Sequence, residues 1–244
     1  MKKNIFISGS SSGIGLDIAK SLSLNSKFKV FINGRNKKKL LKAKAKIPLS
    51  DYVLGDVNNY SHLKKISNKL KNIDVLICNV GNGRSASPGK EKLLDWKKSF
   101  DENFYSAVNL IKIFENKLIR SKGIIICISS ICGIEYINGA PITYSVSKSA
   151  LNSFIKCYSK YIGPRGVKIN AIAPGNIIFK GSTWEKKIKK SKKKVNQMLI
   201  NEVSLNKLGS TKNISSMVEY LISNNSEFIN GSVFVLDGGQ LRKF

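Results

Sequence analysis

The short apolar run Asn4–Ser8 (Asn-Ile-Phe-Ile-Ser) leads directly into Gly9-Ser10-Ser11-Ser12-Gly13-Ile14-Gly15, and then into an amphipathic stretch from Leu16 to Leu24. A buried strand, a glycine-rich turn and a helix in that order aim the first backbone N–H groups of the helix at the turn. There they can meet a pyrophosphate. Glycine lets a backbone approach phosphates closely and lets the helix pack hard on the strand. The spacing is Gly-x-x-x-Gly-x-Gly, not Gly-x-Gly-x-x-Gly. The plain alternative is a Ser/Gly turn with no ligand.

The rest of the chain keeps alternating. Apolar runs near 4–8, 28–33, 51–55, 73–79, 123–129, 166–173 and 232–236 read as strands, and helical periodicity fills 37–46, 60–71, 91–119, 143–162 and 211–224. Runs such as Ile124-Ile125-Ile126-Cys127-Ile128 suit strands covered on both faces. The expectation is an α/β fold over 1–244: a Rossmann-like, doubly wound, mainly parallel seven-stranded sheet with helices on both faces. One segment, 176–208, is polar and lysine-rich and breaks the rhythm.

Tyr144 and Lys148 stand four residues apart in a predicted helix, so they share a face. A phenol with a pKa of about 10 is a poor base near neutrality. A neighbouring ammonium favours the phenolate and would make Tyr144 a usable proton donor and acceptor.

With the glycine turn upstream, this pair resembles the short-chain dehydrogenase/reductase family, and the likeness runs from residue 4 to about 239. Asp56-Val57 resembles the family's adenine-binding step, and Asn79-Val80-Gly81 stands where the family has Asn-Ala-Gly. Ser129-Ser130 ends a strand fourteen residues before Tyr144, and Pro174-Gly175-Asn176-Ile177 resembles the segment that closes over the nicotinamide. The resemblance is closest to members that act as 3-oxoacyl-carrier reductases. It implies a catalytic set of Asn103, Ser130, Tyr144 and Lys148, with Ser129 an alternative to Ser130. Ser130 would bond the substrate oxygen, Tyr144 would donate the proton, Lys148 would tune Tyr144 and bond the ribose, and Asn103 would hold a relay water. The implied cofactor contacts are Ser8, Gly9, Ser11, Ser12, Gly13, Ile14, Gly15, Asn36, Asp56, Val57, Asn79, Gly81, Pro174, Gly175 and Ile177, besides Tyr144 and Lys148. The 176–208 segment falls where the family carries a mobile substrate lid.

Cofactor choice is read at the end of the second strand. An NAD-binding member has an acid there, whereas this chain has Gly34, then Arg35. Arg35 can grip a 2′-phosphate, and Lys37 to Lys39 add positive potential, which favours NADP(H). Some positions depart from the family pattern: Ser8 for Thr, Cys78 and Val80 around Asn79, and Phe179 where many members place a Thr on the nicotinamide carboxamide.

The formal net charge is +27; of 42 Lys and Arg only five are arginines, so 37 are lysines. A nucleic-acid surface would use arginine with interleaved aromatics. The densest run, Lys186 to Lys194, has none inside it. A solvated lysine face is the plain reading, and steering of an anionic carbonyl substrate, carrier- or nucleotide-linked, is the functional one. Cys78, Cys127, Cys132 and Cys157 show no metal-ligand spacing and read as four buried free thiols in a reducing cytoplasm. His62, the only histidine, reads as a solvated surface residue. No apolar run approaches the ~18 residues of a membrane helix.

The function expected is NADPH-dependent carbonyl reduction on a 3-oxoacyl thioester, in a dimer or tetramer by family resemblance. The alternatives are reduction of a ketosugar or nucleotide-sugar, a non-catalytic NADP sensor, or a basic nucleic-acid-binding protein. An intact Ser130/Tyr144/Lys148 set speaks against the sensor, which has no need of a tuned phenol.

Overall fold

The structure is a computed structural model that describes residues 2–47 and 49–242. Its seven-stranded sheet is built from β1 (Lys3–Ile7), β2 (Phe28–Gly34), β3 (Asp51–Leu54), β4 (Val75–Cys78), β5 (Ile124–Ile128), β6 (Lys168–Pro174) and β9 (Val233–Leu236). The strand order is β3-β2-β1-β4-β5-β6-β9, and every neighbouring pair is parallel. All seven predicted strands are present, shifted by no more than two residues at their ends.

Alternation along each strand sends side chains to two cores. Phe6, Leu76, Cys78, Ile125 and Cys127 face one side, where α3 (Tyr60–Lys69), α5 (Ser106–Ser121) and α6 (Ile142–Ile162) supply Leu63, Ile66, Leu110, Phe114, Leu151 and Ile155. Ile5, Ile7, Val75, Ile77 and Ile126 face the other, covered by α1 (Gly13–Ser23), α2 (Lys37–Ala45) and α9 (Thr211–Ile222) through Ile18, Leu22, Leu40, Ile214 and Val218. Each fully buried aliphatic side chain contributes about 1.5–3 kcal/mol. That is why these strands read as unbroken apolar runs.

Two expectations need correction. The stretch 91–119 is not one helix: α4 (Leu93–Phe100) passes into a π turn at Asp101–Tyr105 before α5 begins. The lysine-rich segment is also ordered structure. It opens with β7 (Ile177–Ile178), forms α7 (Thr183–Lys190) and α8 (Lys192–Glu202), and returns through β8 (Gly209–Ser210), which pairs with β7. Ser182 and Ser191 cap the two helices, their hydroxyls accepting from the Glu185 and Lys194 amides. Val195, Leu199 and Val203 form a small core of their own there, against Trp184 and Ile188.

The thiols also differ from expectation. Cys78 and Cys127 are buried, but Cys132 is half-buried and Cys157 is exposed, because helical periodicity turns Cys157 away from the face carrying Ile155, Tyr158 and Ile162. No helix among the described residues is long and apolar enough to cross a membrane.

Candidate active site

The C-terminal ends of the strands open on a cleft of about 880 Å³. Ligands in doubly wound folds bind at this edge, where helices begin and strand order reverses. Here the reversal falls between β1 and β4, the two strands that flank the glycine turn.

The turn is held in shape by residues beneath it. Gly9 and Gly13 have φ of +61° and +59°, a region that suits glycine. Asn79 Nδ2 donates to the Ser8 and Gly9 carbonyls at 3.0 and 3.1 Å, fixing the turn from below. A Cβ at Gly15 would lie 2.4 Å from that Nδ2 and 3.0 Å from the Gly9 carbonyl. Gly15→Ala should therefore cost about 1–3 kcal/mol by overpacking, read as a lowered denaturant midpoint; an unshifted midpoint would show that the turn gives way freely. The first turn of α1 has neither a side-chain cap nor an acidic residue, so its N–H groups stay available to an anion. Gly9, Ser11, Ser12, Gly13 and Ile14 line the cleft.

Farther along the cleft lie Gly34, Arg35, Asp56, Val57 and Asn58. The Arg35 guanidinium is largely exposed, with Nη1 3.7 Å from the Asp56 carboxylate, and can turn toward an incoming phosphate. Asp56 is set by its own contacts, Oδ1 accepting from the Asn58 amide and its N–H donating to His62 Nδ1. His62 is thus exposed as expected, but it also supports this end of the cleft. The fit to a phosphorylated dinucleotide is good: a glycine cradle, helix amides without a side-chain cap, and a guanidinium in place of the acid.

The proton-handling groups meet on the other side. Ser130 caps a turn at Ile131–Gly133, its Oγ accepting from the Cys132 amide at 3.2 Å, and it lies near enough to the Tyr144 hydroxyl to pull its pKa down. Ser129 points elsewhere, donating to Asn152 Oδ1 at 2.6 Å, while Asn152 Nδ2 donates to the Gly133 carbonyl at 3.1 Å. Of the two serines, Ser129 ties the strand end to α6, and Ser130 has its hydroxyl beside Tyr144. A Cβ at Gly133 would lie 2.6 Å from the Lys148 backbone, so this turn sits directly on the helix carrying the pair.

Lys148 is 3% exposed and donates to the Ile128 carbonyl at 2.8 Å. Burial lowers its pKa from the ordinary 10.5 to about 8. Burial also raises the half-buried Tyr144 phenol to about 12, against the pull of the nearby Ser130 hydroxyl. The expected lowering of Tyr144 by Lys148 is not found in this arrangement. Lys148 Nζ sits 6.0 Å from the ring centroid and is turned toward Ile128.

Four expected contacts stand outside the cleft lining, Gly15 among them, packed against Asn79. Ser8 is wholly buried, its Oγ accepting from the Asn79 and Val80 amides, which joins β1 to the end of β4. Asn36 uses Oδ1 to cap α2 through the Lys39 amide. Asn103, inside the π turn, accepts from the Asn82 amide at 2.8 Å and donates to the Asn82 and Ser99 carbonyls. Its carboxamide is committed to fixing the Gly81–Asn82 loop. A Cβ at Gly81 would meet Asn103 Oδ1 at 3.1 Å and Lys148 Nζ at 3.3 Å, so Asn103 sits close behind Lys148. A helix interrupted by a π turn is often found at functional sites.

Pro174, Gly175 and Ile177 line the cleft as expected. Phe179 does too, but its ring lies over Gly13, 2.8 Å from where a Cβ there would be, and so links β7 to the glycine turn. Sequence reasoning passed over Arg84, Glu202 and Gln240 as site residues, and they share the lining with Lys187 of the lysine run and with Trp184.

An α/β fold with a glycine cradle and a Ser–Tyr–Lys constellation at one cleft defines a class of nucleotide-dependent oxidoreductases. Residues 9–240 match the family model described as Enoyl-(Acyl carrier protein) reductase. The 3-oxoacyl-[acyl-carrier-protein] reductase FabG of Rickettsia prowazekii is 33% identical over 98% of this chain and 97% of its own length. FabG of Aquifex aeolicus is 28% identical over 96% and 95%. Among solved structures, L-sorbose reductase from Gluconobacter frateurii, complexed with NADPH and L-sorbose, superposes with a TM-score of 0.90 at 23% identity, covering 100% of this chain and 98% of that one. YwfH, an NADPH-dependent reductase involved in bacilysin biosynthesis, gives 0.90 at 24% over the whole of both chains. The chain belongs to the short-chain dehydrogenase/reductase family of oxidoreductases.

Proposed function

We propose that this protein is an NADPH-dependent carbonyl reductase whose substrate is a 3-oxoacyl thioester. The observation that carries the reaction is that the Tyr144 phenol, Ser130 and buried Lys148 line one cleft. A phenol with its pKa raised to about 12 stays protonated at neutral pH, so Tyr144 is placed to give a proton, as reduction requires. Bound NADPH supplies the hydride for the carbonyl carbon. Ser130 steadies the carbonyl oxygen as charge develops on it, and Tyr144 protonates that oxygen. Lys148, charged over most of the range below pH 8, would have to turn from the Ile128 carbonyl to favour negative charge at the same place. Asn103 keeps the Gly81–Asn82 loop in register beside Lys148. The thioester reading rests on the FabG relatives and on the lysines of α7 and α8, which suit an anionic carrier. The whole chain acts as one catalytic domain, with 176–208 as the lid.

A ketosugar or nucleotide-sugar is the second reading, favoured by the polar Glu202 and Gln240 in the cleft wall. A screen of carrier-bound, CoA-bound and nucleotide-linked ketones, following NADPH consumption at low and high salt, separates the readings. The 3-oxoacyl thioester should turn over fastest and slow as salt rises. A small neutral ketone turning over fastest, with no salt dependence, would leave the lysine run a solvated face only.

For cofactor choice, Arg35→Asp should weaken NADPH by about tenfold or more while NADH changes little, because a phosphate partner becomes a repulsive carboxylate. Equal losses in a fluorescence titration would remove Arg35 from the 2′-phosphate site. Free thiols at Cys132 and Cys157 fit a reducing cytoplasm. Exposed Tyr105 and Phe228 fit a dimer or tetramer, which sedimentation would detect.

A further inference from the structure

Gln240 is 8% exposed and lines the cleft, yet its side-chain oxygen is buried without a hydrogen-bond partner among the described residues. Such an acceptor carries its full desolvation cost, and an apolar side chain of similar volume would carry none. The backbone around it is firmly held. Asp237 accepts from the Gly239 and Leu241 amides at 2.8 and 2.7 Å. The Ser204 hydroxyl donates to the Gly239 carbonyl, the Leu205 amide to the Gly238 carbonyl, and the Arg242 amide to Glu135. Gln240 is therefore clamped between the end of α8 and the segment that follows Ser130. This places it at the substrate end of the cleft, away from Arg35 and the glycine turn.

Its surroundings narrow the ligand. Lys187 lines the same cleft, resting 4.3 Å over the Trp184 ring with its ammonium felt by Cys132. Glu202 lines the same wall, so the two opposite charges offset and a neutral donor is the match left for Gln240.

We propose that Gln240 is a substrate-recognition residue whose side-chain oxygen accepts a hydrogen bond from a neutral O–H or N–H donor on the carbonyl substrate. This rests on the carbonyl-reductase reading above and adds a discrimination to it. Ketones bearing the donor are selected over isosteres that lack it, as expected of a site with a buried polar group to satisfy. Two sources supply such a donor: a hydroxyl of a polyhydroxylated ketone, or an amide N–H in the arm of a pantetheine thioester.

The test uses two matched pairs with NADPH: a hydroxyketone against its deoxy analogue, and a 3-oxoacyl pantetheine thioester against a simple alkyl thioester without amides. Wild-type enzyme should favour the donor-bearing member of one pair by about tenfold or more in kcat/KM. The pair that responds identifies the source. Gln240→Met should collapse that ratio toward unity with a Tm no lower than wild type, while Gln240→Glu, which keeps an acceptor, should retain part of it. A ratio unchanged in Gln240→Met would overturn the proposal. So would a lowered Tm with both members of each pair slowed equally, since that marks a packing role. If wild-type enzyme reduces no ketone at all, the reductase reading itself fails and takes this inference with it.

Discussion

Tyr144→Phe is expected to lower kcat by about 10²-fold or more while NADPH affinity stays within about threefold of wild type. The substitution keeps the ring and removes only the hydroxyl beside Ser130. Nothing in the two cores depends on that oxygen, so the fold should be intact and the loss should fall on the chemical step. Stopped-flow single turnovers separate this from slow product release. Retention of more than about a hundredth of wild-type kcat would contradict proton donation by Tyr144.

Lys148→Met is expected to be as damaging to turnover, by about 10²-fold or more, and it carries a second signature in stability. A base whose pKa falls from 10.5 to about 8 on folding binds fewer protons in the folded state than in the unfolded state between those values. Its burial therefore opposes folding below pH 8, and that opposition is relieved as pH climbs through the window 8 to 10.5. Wild-type stability minus Lys148→Met stability should rise with pH across that window, by roughly 1–3 kcal/mol. Taking the difference removes the general relief that other lysines give at high pH. A flat difference from pH 7 to 11 would mean that Lys148 is not held as a buried cation.

The parts of the fold that were legible were those where one side-chain pattern decides the outcome. β5 is apolar at every position because both faces are covered, and the first glycines are required by backbone shape. That Tyr144 and Lys148 share one cleft was legible from their helical spacing, which α6 keeps. Where tertiary contacts decide, the pattern was silent. The π turn at Asp101–Tyr105 exists in a stretch of unbroken helical periodicity, and Asn103 within it is pinned to Asn82, a residue distant in sequence. Lysine density hid α7, although Ser182 three residues before Glu185 is a start signal for that helix. The two adjacent serines could not be told apart in sequence, because the tie of Ser129 to Asn152 is a tertiary contact. The direction of the Tyr144 shift was missed because spacing places a lysine nearby but cannot say which way its ammonium points. Gln240 gave no signal at all beside its glycine pair.

The central claim is hydride transfer to a carbonyl carbon with Tyr144 giving the proton. Its most direct test incubates the enzyme with NADPH deuterated at C4 and a 3-oxoacyl thioester, then analyses the product by mass spectrometry and NMR. One deuterium at the carbinol carbon of a 3-hydroxyacyl product, with one NADPH consumed per product and both lost in Tyr144→Phe, is the result predicted. NADPH that binds but is never consumed with any carbonyl, or a Tyr144→Phe enzyme that labels product at the wild-type rate, would contradict it.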